Sequence, residues 1–255
     1  RYYDMIAQMD HQVGSILRQL EEDGLSSNTI VMFFSDHGVG LPRGKRWLYD
    51  SGTQVPLIVR WPGHIAPETA NEELVSLLDM APTLLSVAGV SPPVAMQGRI
   101  FMGKSQQPEP RYLFQTRDRM DETFDMIRSV RDRQFRLVVN YHPELPYDQK
   151  VEYSEQTPTL KELRRLKAEG QISGPASWFF THPKPAMELY DTHSDPWEST
   201  NLADDPAHSE RLREMRLALV QWQKDTRDKR LHPETDNQAK QEAREKPGRR
   251  KKNKS

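Results

Sequence analysis

The sequence predicts an α/β sheet sandwiched by helices over residues 1–110. A smaller α+β subdomain with an antiparallel sheet and a terminal helix follows over 111–231, and a disordered basic tail over 232–255. Three observations carry this. An amphipathic helical run is followed by two continuous apolar runs, 29–34 and 56–59. Without alternation, such runs read as strands buried on both faces, as in a parallel sheet. After a Pro/Gly/Gln-containing connection at 91–110 the pattern changes to several short strand-like runs and charged helical segments.

Taken in order, Met5, Met9, Val13, Ile16, Leu17 and Leu20 recur at helical spacing and predict a helix over 3–23, with Gly24 at its C-terminal cap. Thr29–Phe34 and Pro56–Val59 are the two buried strands. Between them lie about twenty loop residues with four glycines, a length that in a compact domain is functional or disordered. Val75-Ser76 reads as a short strand. Asp79 is placed to cap a helix that tolerates Pro82 in its first turn and stops at Gly89.

Tyr112–Thr116, Met126–Val130 and Phe135–Asn140 read as strands, with Arg131-Asp132-Arg133 as a hairpin turn. Thr157–Ala168 is a charged helix and Met187–Tyr190 a further strand. The last helix, 206–227, puts Leu212, Met215, Leu219 and Trp222 on one face. Beyond Leu231 the composition turns to Lys, Arg, Glu, Gln and Asn and cannot bury enough apolar surface to order itself.

The 255 residues suffice for a real core, although the apolar fraction is only 35 % and charged residues make up 29 %. A net charge of −1 gives no general attraction to nucleic acid or membranes. The absence of cysteine excludes disulfides, thiolate metal sites and cysteine nucleophiles. No apolar stretch approaches the ~20 residues needed to span a bilayer. The chain opens at Arg1 inside a helix, so the true N-terminus is expected to lie upstream and the lack of a leader is uninformative.

The chemistry gathers in the long loop. Asp36 follows the C-terminal end of a buried strand, the edge where α/β sheets bind ligands. Its carboxylate suits a hard cation such as Ca²⁺ or Mg²⁺, and His37 extends the choice to Mn²⁺ or Zn²⁺. Gly38 and Gly40 permit the irregular backbone that lets neighbours reach one ion. Lys45 is a compact charge able to neutralise an oxyanion. Metal and lysine together would clamp a group undergoing sulfuryl or phosphoryl transfer. The competing account is a plain turn, with Asp36 on backbone amides and Lys45 in solvent.

The longer string favours the first account. Ser35–Gly38, Gly44-Lys45, Tyr49–Gly52 and Val55–Gly63 resemble the signature of the formylglycine-dependent sulfatases, within the alkaline-phosphatase superfamily. The leading helix, residues 78–89 and residues 188–203 are similar to further family segments, among them its Leu-Tyr-Asp-x-x-x-Asp-Pro-x-Glu-x-x-Asn-Leu motif. The resemblance spans residue 2 to about 227 and extends to heparan N-sulfatase-like and bacterial members.

It implies a partial alkaline-phosphatase-like sheet, with Asp36 and His37 as metal ligands. The metal would normally be Ca²⁺, with Mn²⁺ or Mg²⁺ as alternatives because His37 stands where many members have Asn. Lys45 would contact the sulfate oxygens and the leaving-group oxygen. The segment 117–128 would lie near the substrate pocket, with Arg119, Asp121 and Glu122 as candidates for sugar contacts, although a charged hairpin edge explains those three more simply. Asp204-Asp205 is better read as a helix cap, His64 as a rim or solvent residue, His193 as structural, and His11 as a helix residue with no visible partner. The expected substrate is a sulfated carbohydrate, and export to a periplasmic, lysosomal or extracellular space is implied.

The family's nucleophile, a formylglycine made in Cys/Ser-x-Pro-x-Arg, has no counterpart in these residues. The expectation is therefore the C-terminal portion of a sulfatase, inactive by itself. A metal-dependent phosphodiesterase or phosphonate hydrolase and a non-catalytic binding module are the alternatives.

Overall fold

The structure, a computed structural model, describes residues 2–228. The tail predicted over 232–255 lies outside the described residues. Helix α1, Tyr2–Glu22, ends at Gly24, whose φ of 68° is the left-handed conformation that lets the Leu25 amide turn back to the Leu20 carbonyl. Strand β1, Val31–Phe34, pairs with β2, Leu57–Arg60, in register Val31 with Arg60 to Phe34 with Leu57.

That pairing is antiparallel. The parallel arrangement read from the continuous apolar runs is thus corrected, and so is their burial on both faces. Met32, Leu57 and Val59 pack under helix α3, Met80–Val87, together with Phe101 and Met102. On the opposite face Ile58 stands exposed. Helix α1 buries no residue, and Tyr3, Met5 and Ile16 of its apolar set are exposed. Periodicity reveals that a helix has an apolar face; it does not supply the element that covers it.

Val75-Ser76 forms no strand. Ser76 instead caps a short 3₁₀ turn, Leu77–Asp79, by accepting from the Leu78 amide at 3.3 Å, and Asp79 reaches back to the Ser76 amide at 3.0 Å. Asp79 therefore closes a capping box one turn earlier than expected, and its other oxygen accepts from the Arg99 amide at 2.8 Å. Pro82 lies in the first turn of α3, and Gly89 ends it at φ 76°.

The second sheet is antiparallel, in the order β3 (Leu113–Arg117), β4 (Ile127–Arg131), β5 (Phe135–Asn140) and β6 (Met187–Asp191). The turn between β4 and β5 is held by the Asp132 carboxylate, which accepts from the Gln134 and Phe135 amides at 2.8 and 2.6 Å. Between β5 and β6 run α4 (Glu152–Glu155), α5 (Pro158–Ala168) and α6 (Pro175–Trp178). Asp205 caps the approach to the last helix, accepting from the Ala207 amide at 2.9 Å, and α7 spans Ser209–Asp225.

The two faces of this sheet differ in chemistry. Val130, Leu137 and Leu189 point to one side and meet Met215 and Leu219 of α7 in a dry core. The alternate positions, Ile127, Ser129, Arg131, Arg136, Val138, Glu188 and Tyr190, form the other face. Most of these are polar, yet all but the half-buried Arg131 are buried. What covers them is the long loop after β1, whose short helix α2, Asp50–Thr53, lies against the sheet.

Candidate functional site

The loop between β1 and β2 is wound so tightly that three of its glycines cannot be replaced without moving backbone. A Cβ on Gly38 would lie 2.0 Å from the Ser51 carbonyl oxygen, one on Gly44 2.2 Å from that of Val39, and one on Gly52 2.3 Å from that of Trp47. The close approaches are hydrogen-bonded. The Gly38 amide donates to Gly52 O at 2.9 Å and the Lys45 amide to Val39 O at 2.7 Å. Arg43 and Arg46 adopt left-handed conformations at φ 62° and 79°. Non-glycine residues do so rarely, at a cost of order 1 kcal/mol or more, and only where the surroundings hold them.

The rear of the loop is bolted to the polar face of the second sheet. Trp47, Leu48 and Tyr49 are buried against Ile127, Val138, Tyr147 and Tyr190. The Tyr49 hydroxyl donates to Glu188 at 2.8 Å, and that carboxylate also accepts from Tyr147, Tyr190 and Asn140 at 2.9, 2.6 and 2.6 Å. Burial, then the Glu188 charge, pushes the Tyr49 phenol well above its usual range.

Asp50 sits between Arg136 and Arg131. Burial by itself would raise its carboxyl, but the two guanidinium groups outweigh it and hold the group below its ordinary value. Glu198 accepts from the Asp50 amide at 2.7 Å and lies 2.7 Å from Arg136 Nε. Burial pushes Glu198 up, against the pull of Arg136. Arg43 completes the clamp, donating to the Trp197 and Glu198 carbonyls while stacked 3.8 Å over Tyr49.

The front of the loop carries the predicted ligands. Asp36 stands at the strand end with its side chain 84 % exposed. His37 Nε2 is 3.5 Å from Asp36 Oδ1, and Nδ1 is 2.7 Å from the Gly38 carbonyl oxygen. A carbonyl only accepts, so Nδ1 carries the hydrogen, and a neutral ring presents its Nε2 lone pair beside the Asp36 oxygen. Two donors converging this way fit a divalent cation. They do not complete one: among the described residues no group of three or more potential ligands is placed to hold a metal.

Lys45 lines a cavity of about 50 Å³ with Arg46, Arg117, Gln149 and Tyr153, and its Nζ lies 5.5 Å from the Tyr153 ring centre. Asp36 and His37 are not among the residues lining that cavity. The two sets share one loop, joined by the bond from Lys45 to Val39.

Arg119, Asp121 and Glu122 form a hairpin tip at which Met120 and Thr123 exchange backbone hydrogen bonds. Arg119 donates to the Glu122 carbonyl at 3.2 Å, and the Glu122 carboxylate accepts from the Glu152 amide at 2.6 Å. Asp121 reaches the loop, 3.3 Å from Arg46. His64 stacks on Trp61 at 4.3 Å, away from the cavity, and His11 lies on α1. Sequence reasoning passed over Arg46 and Arg117. The only cue was that Arg46 adjoins Lys45 and Arg117 opens the segment expected near the pocket.

Comparison with known proteins gives one picture. Residues 1–90 match the family model described as Sulfatase. An ulvan-active sulfatase of Formosa agariphila is 45 % identical over 222 residues, 87 % of this chain and 37 % of that protein. The N-sulphoglucosamine sulphohydrolase of Homo sapiens is 33 % identical over 89 % of this chain and 47 % of its own length. Among solved structures, a 2-O GAG sulfatase superposes with a TM-score of 0.66 at 24 % identity, covering 89 % of this chain and 43 % of that one. The chain thus spans less than half the length of these relatives.

Proposed function

Because the chain belongs to the sulfatase family, we propose that it is the C-terminal portion of a sulfatase acting on a sulfated carbohydrate. The observation that carries the reading is one glycine-wound loop presenting the Asp36–His37 donor pair and, a few residues on, Lys45 in a cavity lined by no carboxylate among the described residues. The names of the relatives, ulvan-active sulfatase and N-sulphoglucosamine sulphohydrolase, support a sulfated polysaccharide or glycosaminoglycan as substrate. Export to a periplasmic, lysosomal or extracellular space is part of the same proposal. No helix among the described residues is long and apolar enough to cross a membrane.

In this reading the Lys45 ammonium offsets charge on the sulfate oxygens and on the departing oxygen, an effect whose removal costs about 10²–10³ in turnover. Asp36 and His37, which lie outside the cavity that Lys45 lines, would hold a divalent cation, Ca²⁺ foremost with Mn²⁺ or Mg²⁺ as alternatives, which when bound would supply Lewis-acid stabilisation of developing negative charge. The nucleophile would come from outside residues 1–255, as the chain has neither cysteine nor Ser-x-Pro-x-Arg. This chain by itself would then be inactive. The exposed apolar side chains of α1 and of β2 support the same view, as a face for the remaining part of the catalytic domain.

The test is release of 4-nitrophenol from its sulfate and phosphate esters by the protein encoded with its adjoining reading frame. Sulfate-ester turnover is expected, lowered about 100-fold or more by Lys45→Ala and reduced by a chelator. Faster turnover of the phosphate ester would replace the sulfatase reading with a phosphoester hydrolase, and no turnover of either would leave a binding module.

A further inference from the structure

The cavity beside Lys45 is more basic than a single sulfate requires. Lys45, Arg46 and Arg117 all line it, and none of the described lining residues is acidic. One water occupies ~10–15 Å³ of such space, so about 50 Å³ admits a group the size of a carboxylate or sulfate head.

Arg117 is the least expected of the three. Its side chain is 1 % exposed and its guanidinium lies 3.9 Å over the Trp47 ring. Nη1 reaches Asp125 at 3.2 Å and Nη2 donates to Gln149 at 2.5 Å, but the buried Nε has no hydrogen-bond partner among the described residues. Asp125 is not its own to use, because Lys184 Nζ donates to the same carboxylate oxygen at 2.6 Å. Two buried cations therefore share one anion at the back of the cavity. Burial drives the Arg117 guanidinium down to about 10, with Asp125 opposing.

Arg46 is the less buried of the two, with its side chain 16 % exposed. It donates to Ser154 Oγ at 3.0 Å, pairs with Asp121 at 3.3 Å and stands 5.1 Å from the Tyr153 ring that Lys45 also faces. Its left-handed backbone, φ 79°, aims it there while Lys45 keeps its bond to Val39.

We propose that Arg46 and Arg117 form a second oxyanion subsite beside Lys45, so that the preferred ligand is a sugar carrying an anionic group, carboxylate or sulfate, besides the sulfate that Lys45 contacts. The proposal rests on the sulfatase reading for the role of Lys45, but its test does not need turnover. The full chain is titrated calorimetrically with methyl glucuronide, methyl glucoside 2-sulfate and neutral methyl glucoside. Both anionic glycosides are expected to bind at least tenfold more tightly than the neutral one, and the tighter of them identifies the natural group.

Arg46→Gln removes charge-assisted contacts and is expected to weaken the anionic glycosides about tenfold. The neutral glycoside should be unaffected. Arg117→Gln should act in the same direction. If it fails to fold by circular dichroism, Arg46→Gln still decides, because Arg46 is less buried than Arg117. Equal binding of charged and neutral glycosides, or unchanged affinity in Arg46→Gln, would overturn the proposal. Hydrolysis of the simple ester, measured separately, reports on the sulfatase reading: it can fail while the binding result stands, and the reverse.

Discussion

Replacing Arg136 by Met should detach the loop between β1 and β2 from the sheet that supports it. The side chain is 1 % exposed and serves the loop at several points. Nη1 donates to the Leu48 carbonyl at 2.6 Å, Nη2 to Thr53 Oγ1 at 3.2 Å and to Asp50, and Nε faces Glu198 at 2.7 Å. Methionine keeps most of the hydrocarbon volume, so the cavity contribution is small. What remains is Glu198, 1 % exposed, with its neighbouring cation gone and the Asp50 amide still donating to it. Among the described residues, Asp50 keeps only Arg131 as an ion-pair partner.

Removing one member of a buried ion pair costs ~3–5 kcal/mol, out of a typical ~5–15 kcal/mol for a whole domain. For a chain of this size that lowers Tm by roughly 6–20 °C. Urea denaturation measures the loss, and amide hydrogen exchange locates it. The amides of Lys45, Asp50 and Gly52 should lose protection before those of β4 and β5. Arg136→Lys should not rescue, because an ammonium cannot fork between Leu48 and Asp50. Adding Glu198→Gln to Arg136→Met should recover part of the loss by removing the stranded charge. A loss below ~1 kcal/mol with unchanged loop protection would refute the view that buried charge holds the loop.

Two further pairs of substitutions test the same loop. Asp50 is held below its ordinary value in the folded chain, so its contribution is present above the unfolded value near ~3.9 and fades as pH falls through the folded one. Asp50→Asn should be less stable than the parent at pH 7 by urea titration, with the difference closing below about pH 4; Glu198, raised by burial, has the opposite sign, so Glu198→Gln should cost less at pH 7. Gly52→Ala forces a Cβ to within 2.3 Å of the Trp47 carbonyl oxygen and should cost ~1–3 kcal/mol with altered Trp47 fluorescence, whereas Gly40→Ala meets nothing within 4 Å and should be neutral in both measurements.

The sequence by itself determined the local elements and the chemical inventory. Helical spacing from Met5 to Leu20 ends at Gly24 because only a left-handed residue lets the chain turn there. The strand at Phe135–Asn140 and the turn at Asp132 follow from residues whose side chains act within a few positions of themselves. The order of Asp36, His37 and Lys45 in one short stretch was legible for the same reason, whereas their division between the strand end and the cavity was not.

Tertiary structure decided what depends on distant partners. Continuous apolar runs cannot state strand direction, so β1 and β2 proved antiparallel and partly exposed where a buried parallel pair was expected. Arg136 and Glu188 look like surface residues in a polar alternation, and only the loop folded over them shows why they are buried. Arg46 and Arg117 meet across 71 positions of sequence because the loop and β3 share a cavity, a relation that local pattern does not encode.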